Sequence, residues 1–209
     1  MLSSMLNTQT ASPEELVPRH HGLAPGAAAL PTSLQDHNVL LRPFQLADAE
    51  PMYEAARESI AELCTWMTWC QPEYSKSDAE AFVSQSARSW EQGEHYSFAI
   101  LDAQNSRFLG SIGLNNLNAT HKLGNVGYWV RSSAAGCGRG TAATRLLAAY
   151  ALQELGLNRL EFLIPLANVA SQRVARKARA RLEGILRSRL MIAGVTHDAA
   201  LYSLLKEGV

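Results

Sequence analysis

Neither sign of charge is in excess: Lys plus Arg and Asp plus Glu both number 19, so the overall balance calls for neither nucleic acid nor an anionic membrane as a partner. No apolar run approaches the ~18 residues that a membrane span requires. The 47% hydrophobic content is globular, and a soluble chain is expected. Cysteine is scarce too: Cys64, Cys70 and Cys137 are odd in number and lack the close pairs of zinc sites, so they read as free thiols in a reducing compartment. The start lacks the basic segment, continuous apolar middle and small-residue cleavage site of a secretion signal, and the expected residence is cytoplasmic.

With 209 residues the chain suits one domain of ordinary size. Its first 37 residues hold four of the eight prolines (Pro13, Pro18, Pro25, Pro31), an alanine run, the His20-His21 pair and little apolar periodicity. Such a composition buries too little surface to offset its ordering entropy, so residues 1–37 are expected to be a disordered extension and residues 38–209 one folded domain. Two histidines with no third ligand nearby read as part of a solvated tail, and no metal is expected.

From residue 38 onward periodicity becomes legible. "NVLLRPF" reads as a short strand ended by Pro43, and "LADAEPMYEAARES" as a helix with an acidic first turn. In "AELCTWMTWC", Leu63, Trp66, Met67 and Cys70 recur at i, i+3, i+4 and i+7, which predicts a second helix; a third, over roughly 78 to 92, is expected to bury Phe82, Val83 and Trp90. Then the period changes to two. Tyr96, Phe98 and Ile100 alternate, "DAQNSR" supplies a turn and "FLGSIGLNNL" returns. After a polar loop around His121, "NVGYWVR" puts Val126, Tyr128 and Val130 on one face and Trp129 on the other, completing an antiparallel meander. A glycine stretch, a helix over about 140 to 155 and the strand "RLEFLIP" follow; the intervening helix predicts that this strand runs parallel to its predecessor. A helix from about 168 to 179, N-capped by Asn168, and strands near "EGILRSRLMIAG" and "DAALYSLLK" close the chain. The expected fold is α+β, a mixed, mostly antiparallel sheet of about six or seven strands flanked by helices.

The stretch "AAGCGRGTAATRLL", residues 134 to 147, sets Gly136, Gly138 and Gly140 directly ahead of a helix. Unpaired amides of a first helical turn and the positive end of the helix dipole favour phosphate, by ~0.3 to 1 kcal/mol for the dipole, and glycine lets a ligand approach the main chain. Gly138-x-Gly140-x-x-Ala143 superficially satisfies a dinucleotide fingerprint. However, the acidic residue that should end the second strand is missing, Glu161 lying near that strand's start, and an antiparallel meander precedes the βαβ unit. An NTPase phosphate loop is weaker still, with no Gly-Lys-Ser or Gly-Lys-Thr following. A turn without a ligand is the plain alternative; the third reading is the pyrophosphate of coenzyme A.

Several pieces in order carry a resemblance: "LLRPFQLADAE" at the start, "WMTW" after the first helices, "GYWVRSS", the glycine loop, and Asn168-x-x-Ser171 before "RVARK". Over about residues 38 to 206 the chain resembles the GNAT fold of N-acetyltransferases, and within it the RimJ/RimL-type branch, which acetylates protein N-terminal amines and some small amines. The resemblance implies acetyl-CoA as co-substrate, an amine acceptor, and a monomer or homodimer. It places the amides of Cys137, Gly138, Arg139, Gly140, Thr141 and Ala142 around the pyrophosphate, with the Arg139 side chain either adding a charged contact or solvated, and Asn168 in the same cofactor set. It also has Tyr128, Trp129 and Val130 line the pantetheine arm, their main-chain N–H groups polarising the thioester carbonyl. Where the family pattern begins with Arg or Gln this chain has Cys137, so one side-chain contact is lost while the amides stay.

Acetyl transfer to an amine needs a neutral amine, a stabilised oxyanion and a proton for the departing thiolate. Many relatives carry a tyrosine seven residues after the asparagine matching Asn168; here that position is Ala175, and the RimJ/RimL-like alternative, Ser171, becomes the candidate acid. Packing or capping is the ordinary alternative for Ser171. The general base stays open; Glu58, at the end of the first helix and the second candidate catalytic residue, and Asn115 are expected to shape the acceptor pocket beside Trp66 and Trp69, although Leu63, Trp66 and Met67 also make a normal core stripe. An α-amino group of pKa ~8 is about a tenth neutral at pH 7, a lysine at ~10.4 less than a thousandth, so an N-terminal acceptor needs only modest help. His121 is expected to face solvent, and His197 with Asp198 to be an ordinary strand-start pair.

Arg179 occupies the place of the glycine that ends the corresponding family helix in a left-handed conformation, so the helix either runs on or has a reshaped end. Arg173, Arg176, Lys177, Arg179 and Arg181 form a basic cluster that suits a solvated face, the coenzyme's 3′-phosphate or RNA. The competing function is therefore a non-catalytic acyl-CoA-sensing or RNA/ribosome-binding module on the same fold; the enzyme reading expects no direct nucleic-acid binding.

Overall fold

The computed structural model describes residues 33–208. Most of the expected N-terminal extension lies outside the described residues. Its last part does not: Leu34–Gln35 (β1) pairs antiparallel with Val39–Pro43 (β2), so the ordered sheet begins inside the stretch expected to be disordered. The connecting turn is held by the Asp36 carboxylate, which accepts the N–H groups of Asn38 and Val39 at 2.7 and 2.8 Å.

Three helices follow, Ala49–Glu58 (α1), Ile60–Trp66 (α2) and Lys76–Gln92 (α3). The meander is Tyr96–Asp102 (β3), Phe108–Asn118 (β4) and Leu123–Val130 (β5), and then come Arg139–Gln153 (α4), Arg159–Pro165 (β6), Val169–Lys177 (α5), Arg181–Ile192 (β7) and Val195–Leu205 (β8). They build one eight-stranded sheet in the order β1-β2-β3-β4-β5-β6-β8-β7. Every neighbouring pair is antiparallel except β5 and β6, which are parallel across the α4 crossover. The strand count exceeds the expected six or seven; one addition is the two-residue β1.

Local chemistry sets the helix ends. Ser75 and Asp78 form a reciprocal capping box at the start of α3, and Gly93, at φ 67°, closes it in the left-handed region. The second helix departs from the 3.6-residue pattern: α2 stops at Trp66, Met67 is extended at φ −105°, ψ 124°, and Cys70 lies off the helix. On α3, Val83 and Trp90 are buried as expected, while Phe82 stays 37% exposed and stacks edge-on with Phe44. At the end of α5 the left-handed geometry survives with an arginine in the glycine's place. Arg179 sits at φ 71°, Ala180 N–H donates to Ala175 O and Arg179 N–H to Arg176 O, both at 3.0 Å, the paired bonds of a Schellman motif.

Two apolar clusters cover the sheet, one on each face. The first holds Phe98, Ile112, Leu114, Val126, Phe162 and Tyr202 under Leu147 and Ala151 of α4 and Ala175 of α5. In the second, Ala99, Leu101, Phe108 and Trp129 pack under Met52 and Ala55 of α1 and Leu63 of α2. Side chains such as Phe98 and Phe162, at most 1% exposed, contribute about 1.5 to 3 kcal/mol each through burial. The division follows the period-two alternation of β5, which sends Val126, Tyr128 and Val130 to the α4 face and Trp129 to the other.

One irregularity positions everything below. The parallel register of β5 with β6 runs only over Leu123–Asn125 and Arg159–Glu161. Beyond it β5 stays paired with β4, β6 stays paired with β8, and the two strands part from each other.

Candidate active site

A side chain sits at the fork. Asn125 Oδ1 accepts the Leu163 N–H at 3.2 Å while Asn125 Nδ2 donates to Asn115 Oδ1 at 2.8 Å. An amide oxygen thus serves as an acceptor for a β6 N–H where the ladder ends. On the far edge, Arg131 N–H donates to Leu109 O at 2.7 Å, and the register sets Trp129 opposite Ser111 and Gly127 opposite Gly113. Alternation along an antiparallel strand then turns the main-chain groups of Gly127 and Trp129 toward β4 and those of Val126, Tyr128 and Val130 into the opening. Of the three residues expected to line the cofactor arm, Trp129 differs from the other two: its main chain faces β4, and its ring packs on the opposite face of the sheet, 6.1 Å from both Trp69 and Phe108.

The N-terminus of α4 borders the same region. Gly138 is its N-cap at φ 80°, and a Cβ built there, or at Gly136, meets nothing within 4 Å, so the outer surface of the loop is open. The Ala142 N–H donates to Gly138 O at 3.0 Å and is committed inside the helix, which removes it from the expected amide set. The amides of Arg139, Gly140 and Thr141 lie in the first turn, ahead of any intrahelical acceptor. The Arg139 guanidinium is neither solvated nor aimed at the loop; it donates to Asp102 Oδ2 at 2.8 Å and to Asn38 O, tying α4 to β3 and the start of β2. Cys137 is exposed. Gly140 has a steric reason of its own: a Cβ there would stand 3.1 Å from Tyr128 Cε2.

The Tyr128 ring lies against that first turn, and its Oη–H donates to Ser171 Oγ at 3.2 Å, joining β5 to α5. Burial raises the pKa of the phenol, with the Ser171 hydrogen bond opposing in part, so it stays protonated at neutral pH. Ser171 is positioned by Asn168, whose Oδ1 accepts the Ser171 N–H at 3.0 Å as the N-cap of α5. The buried Asn168 side chain thereby serves the helix. The phenol of Tyr128 is the group that sequence reasoning missed, having weighed this residue for its backbone and its packing; its signal was a hydroxyl on the strand face shared with Val126 and Val130.

Glu58 stands elsewhere. Its Oε2 accepts Arg131 Nε at 2.9 Å and Arg131 Nη2, and its Oε1 accepts the Ser133 N–H at 2.8 Å. The Arg131 guanidinium, with the Ser133 hydrogen bonds, holds the carboxyl well below the usual range, at about 2. A carboxylate so occupied is a poor proton acceptor at neutral pH, and in the structure it joins α1 to the loop after β5. Ser59 Oγ adds to that anchor by accepting the Ser132 N–H at 2.9 Å.

The other expected acceptor residues do not assemble with it. Asn115 is at the fork, Trp66 is half-buried at the end of α2, and Trp69, 40% exposed, rests on Tyr74 and Trp129. Trp69 lines a cavity of about 320 Å³ with Met52, Gln71, Glu73, Tyr74, Asp78 and Phe82. Asp198 is used by the β7–β8 hairpin, where it accepts the Ser188 N–H at 2.8 Å, and His121 is exposed as expected. Arg173, Arg176, Lys177, Arg179 and Arg181 are all exposed and form no ion pair among the described residues. No helix among the described residues is long and apolar enough to cross a membrane.

Comparison with known proteins places this geometry. The profile of the acetyltransferase (GNAT) domain matches residues 38–181. YdaF of Bacillus subtilis, named by inference as a ribosomal N-acetyltransferase, is 28% identical over 172 residues, covering 82% of this chain and 93% of that protein. A Vibrio cholerae structure, described with the same reserve as a ribosomal-protein-serine acetyltransferase, superposes with a TM-score of 0.74 at 26% identity over 83% of this chain and 97% of its own. A RimL ribosomal-protein α-N-acetyltransferase solved with coenzyme A shares the fold at a TM-score of 0.77 and 20% identity, over 83% of this chain and 97% of that one. A helix whose first-turn amides border a forked sheet is thus met here in a chain that belongs to the GNAT acetyltransferase family, an acyltransferase that uses acetyl-CoA as its co-substrate.

Proposed function

We propose that the acceptor is a primary amine, foremost the α-amine of a protein N-terminus, and that Ser171 and Tyr128 together manage the proton of the reaction. The observation that carries this reading is the Tyr128 Oη–Ser171 Oγ contact of 3.2 Å beneath the first turn of α4, at the opening between β5 and β6. Bound acetyl-CoA supplies the activated acetyl group as a thioester. The amides of Arg139, Gly140 and Thr141 hold its diphosphate, and the outward main-chain groups of Val126, Tyr128 and Val130 hold the arm and the thioester oxygen. Ser171 Oγ delivers a proton to the departing thiolate and is reprotonated from Tyr128 Oη, which burial keeps protonated; the proton that the attacking amine loses passes to water, and water in turn restores the Tyr128 phenol, so that one proton leaves the amine and one reaches the thiolate.

No dedicated carboxylate base is assigned. With Glu58 sequestered by Arg131, the site favours an amine with an appreciable neutral fraction, as an α-amine of pKa ~8 has and a lysine of ~10.4 has not. The naming of YdaF as a ribosomal N-acetyltransferase supports the same class of acceptor.

The test is thiol release from acetyl-CoA against a panel: peptides with a free N-terminus, the same peptides blocked at the N-terminus but carrying lysine, polyamines and amino sugars. Turnover of the free peptides and none of the blocked ones is expected. Turnover confined to lysine or amino sugars would overturn the acceptor. Absence of all turnover together with salt-sensitive RNA binding would favour the module reading instead, through the exposed basic residues of α5 and β7.

A further inference from the structure

Two of the three cysteines meet away from the acetyl-transfer site. Cys64 on α2 and Cys70 in the segment after it are six positions apart, and their Sγ atoms lie 3.0 Å apart as free thiols. Both sulfurs pack in the second core cluster, Cys70 buried and Cys64 half-buried. The early end of α2 creates the contact: Met67 turns extended, Cys70 N–H donates back to Met67 O at 3.3 Å, and the chain returns the second thiol to the first. Arg57 holds the same segment, donating to Pro72 O at 2.7 Å.

We propose that Cys64 and Cys70 are a modification site, a dithiol that closes reversibly to an intramolecular disulfide by exchange with a low-molecular-weight disulfide. The Cys64 thiolate attacks the reagent disulfide RSSR, forming a mixed disulfide and releasing one RS⁻. The Cys70 thiolate then attacks Cys64 Sγ, closing the Cys64–Cys70 bond and releasing the second RS⁻. Two protein thiols lose two electrons and two protons, and RSSR leaves as two thiols. The order follows exposure, since the half-buried Cys64 meets the reagent first. Burial and the neighbouring Cys64 sulfur push the Cys70 thiol up to about 12. The Cys64 contribution ends once that sulfur is in the mixed disulfide, while burial, the larger cause, and the smaller opposing pull of the Arg57 cation remain, so closure is the slower of the two steps and rests on the closeness of the sulfurs. Closure acts on Trp69, the residue before Cys70, which rests on Trp129 and lines the cavity beside Tyr74. In a reducing compartment such a pair is a sensor and not a permanent staple.

The experiment equilibrates the folded full-length protein with graded mixtures of oxidised and reduced glutathione, traps free thiols by alkylation and maps tryptic peptides by mass. Cleavage after Arg57 and Lys76 isolates both cysteines on one peptide, away from Cys137. The expected result is a loss of two hydrogens from that peptide, reversed by dithiothreitol, at a glutathione ratio at least tenfold more reducing than the same closure in urea, because the fold holds the sulfurs together. Tryptophan emission should change with closure. In Cys70→Ser, Cys64 should instead accumulate as its glutathione adduct with no loss of two hydrogens. Two alkylated cysteines at every ratio, a stable Cys64 adduct in the wild-type chain, closure no easier than in urea, or closure without an emission change would overturn the proposal. The wild-type readings suffice should Cys70→Ser fail to fold, and none of them requires an acceptor.

Discussion

Replacing Glu58 by glutamine separates an anchor from a catalytic base. The depression of the Glu58 carboxyl from about 4.5 to about 2 corresponds to at most ~3 kcal/mol of stability, at 1.36 kcal/mol per unit. Its side chain is 29% exposed and Arg131 11%, so solvent screening lowers the working figure to ~2 kcal/mol. A depressed folded-state pKa stabilises fully above the unfolded value, and the contribution is lost as pH falls through the folded one. The wild-type advantage over Glu58→Gln should therefore be constant from pH 7 to 6, begin to shrink near pH 4.5, lose about a quarter by pH 4 and more than half by pH 3. Urea unfolding of both proteins at stepped pH measures it, with thiol release assayed on the folded fraction. The glutamine Oε1 can still accept the Ser133 N–H and Ser59 Oγ still accepts the Ser132 N–H, while the Nε2 donor gives up the Arg131 bonds; the loop should therefore keep its place, and turnover at pH 8 should fall less than tenfold. A pH-independent stability difference, or a 10³-fold loss of turnover with stability intact, would refute the anchor and return Glu58 to the chemistry.

Two further substitutions test local geometry. Arg179→Gly relieves a left-handed residue at φ 71° while leaving the Schellman bonds of Ala180 and Arg179 in place, and should raise stability by ~1 kcal/mol in urea; no gain would mean that the arginine side chain compensates its backbone. Gly140→Ala puts a methyl 3.1 Å from Tyr128 Cε2, so the ring must give by a few tenths of an ångström and the already long 3.2 Å contact of its hydroxyl with Ser171 is disturbed; kcat should fall, and an unchanged kcat would show that turnover does not depend on the fine placement of that contact.

Much of the fold was legible because it rests on local periodicity. The meander, the parallel β5–β6 step and the Asn168 cap all follow from alternation, an intervening helix and one side chain at a helix start. The site was less legible where partners are distant in sequence. Tyr128 and Ser171 are 43 positions apart, Glu58 and Arg131 are 73, and Arg139 reaches Asn38 across 101. Composition at either end of such a pair is indistinguishable from an ordinary packed tyrosine or a solvated arginine. The segment after α2 misled for a different reason: Met67 and Cys70 carry helical spacing, yet the chain turns extended there and Trp69 packs on Trp129. Weak helix propensity in a stretch rich in aromatic and β-branched residues yields to that tertiary contact.

The most direct measurement is a double-mutant cycle on Ser171→Ala and Tyr128→Phe, with kcat from thiol release and acetyl-CoA affinity from titration of the same samples. If the two hydroxyls form one proton path, each single change lowers kcat on the order of 10²-fold, the pair together is little worse than either alone, and acetyl-CoA affinity stays within about twofold. Losses that multiply, or an affinity that falls in step with kcat, would contradict a shared path across the opening between β5 and β6.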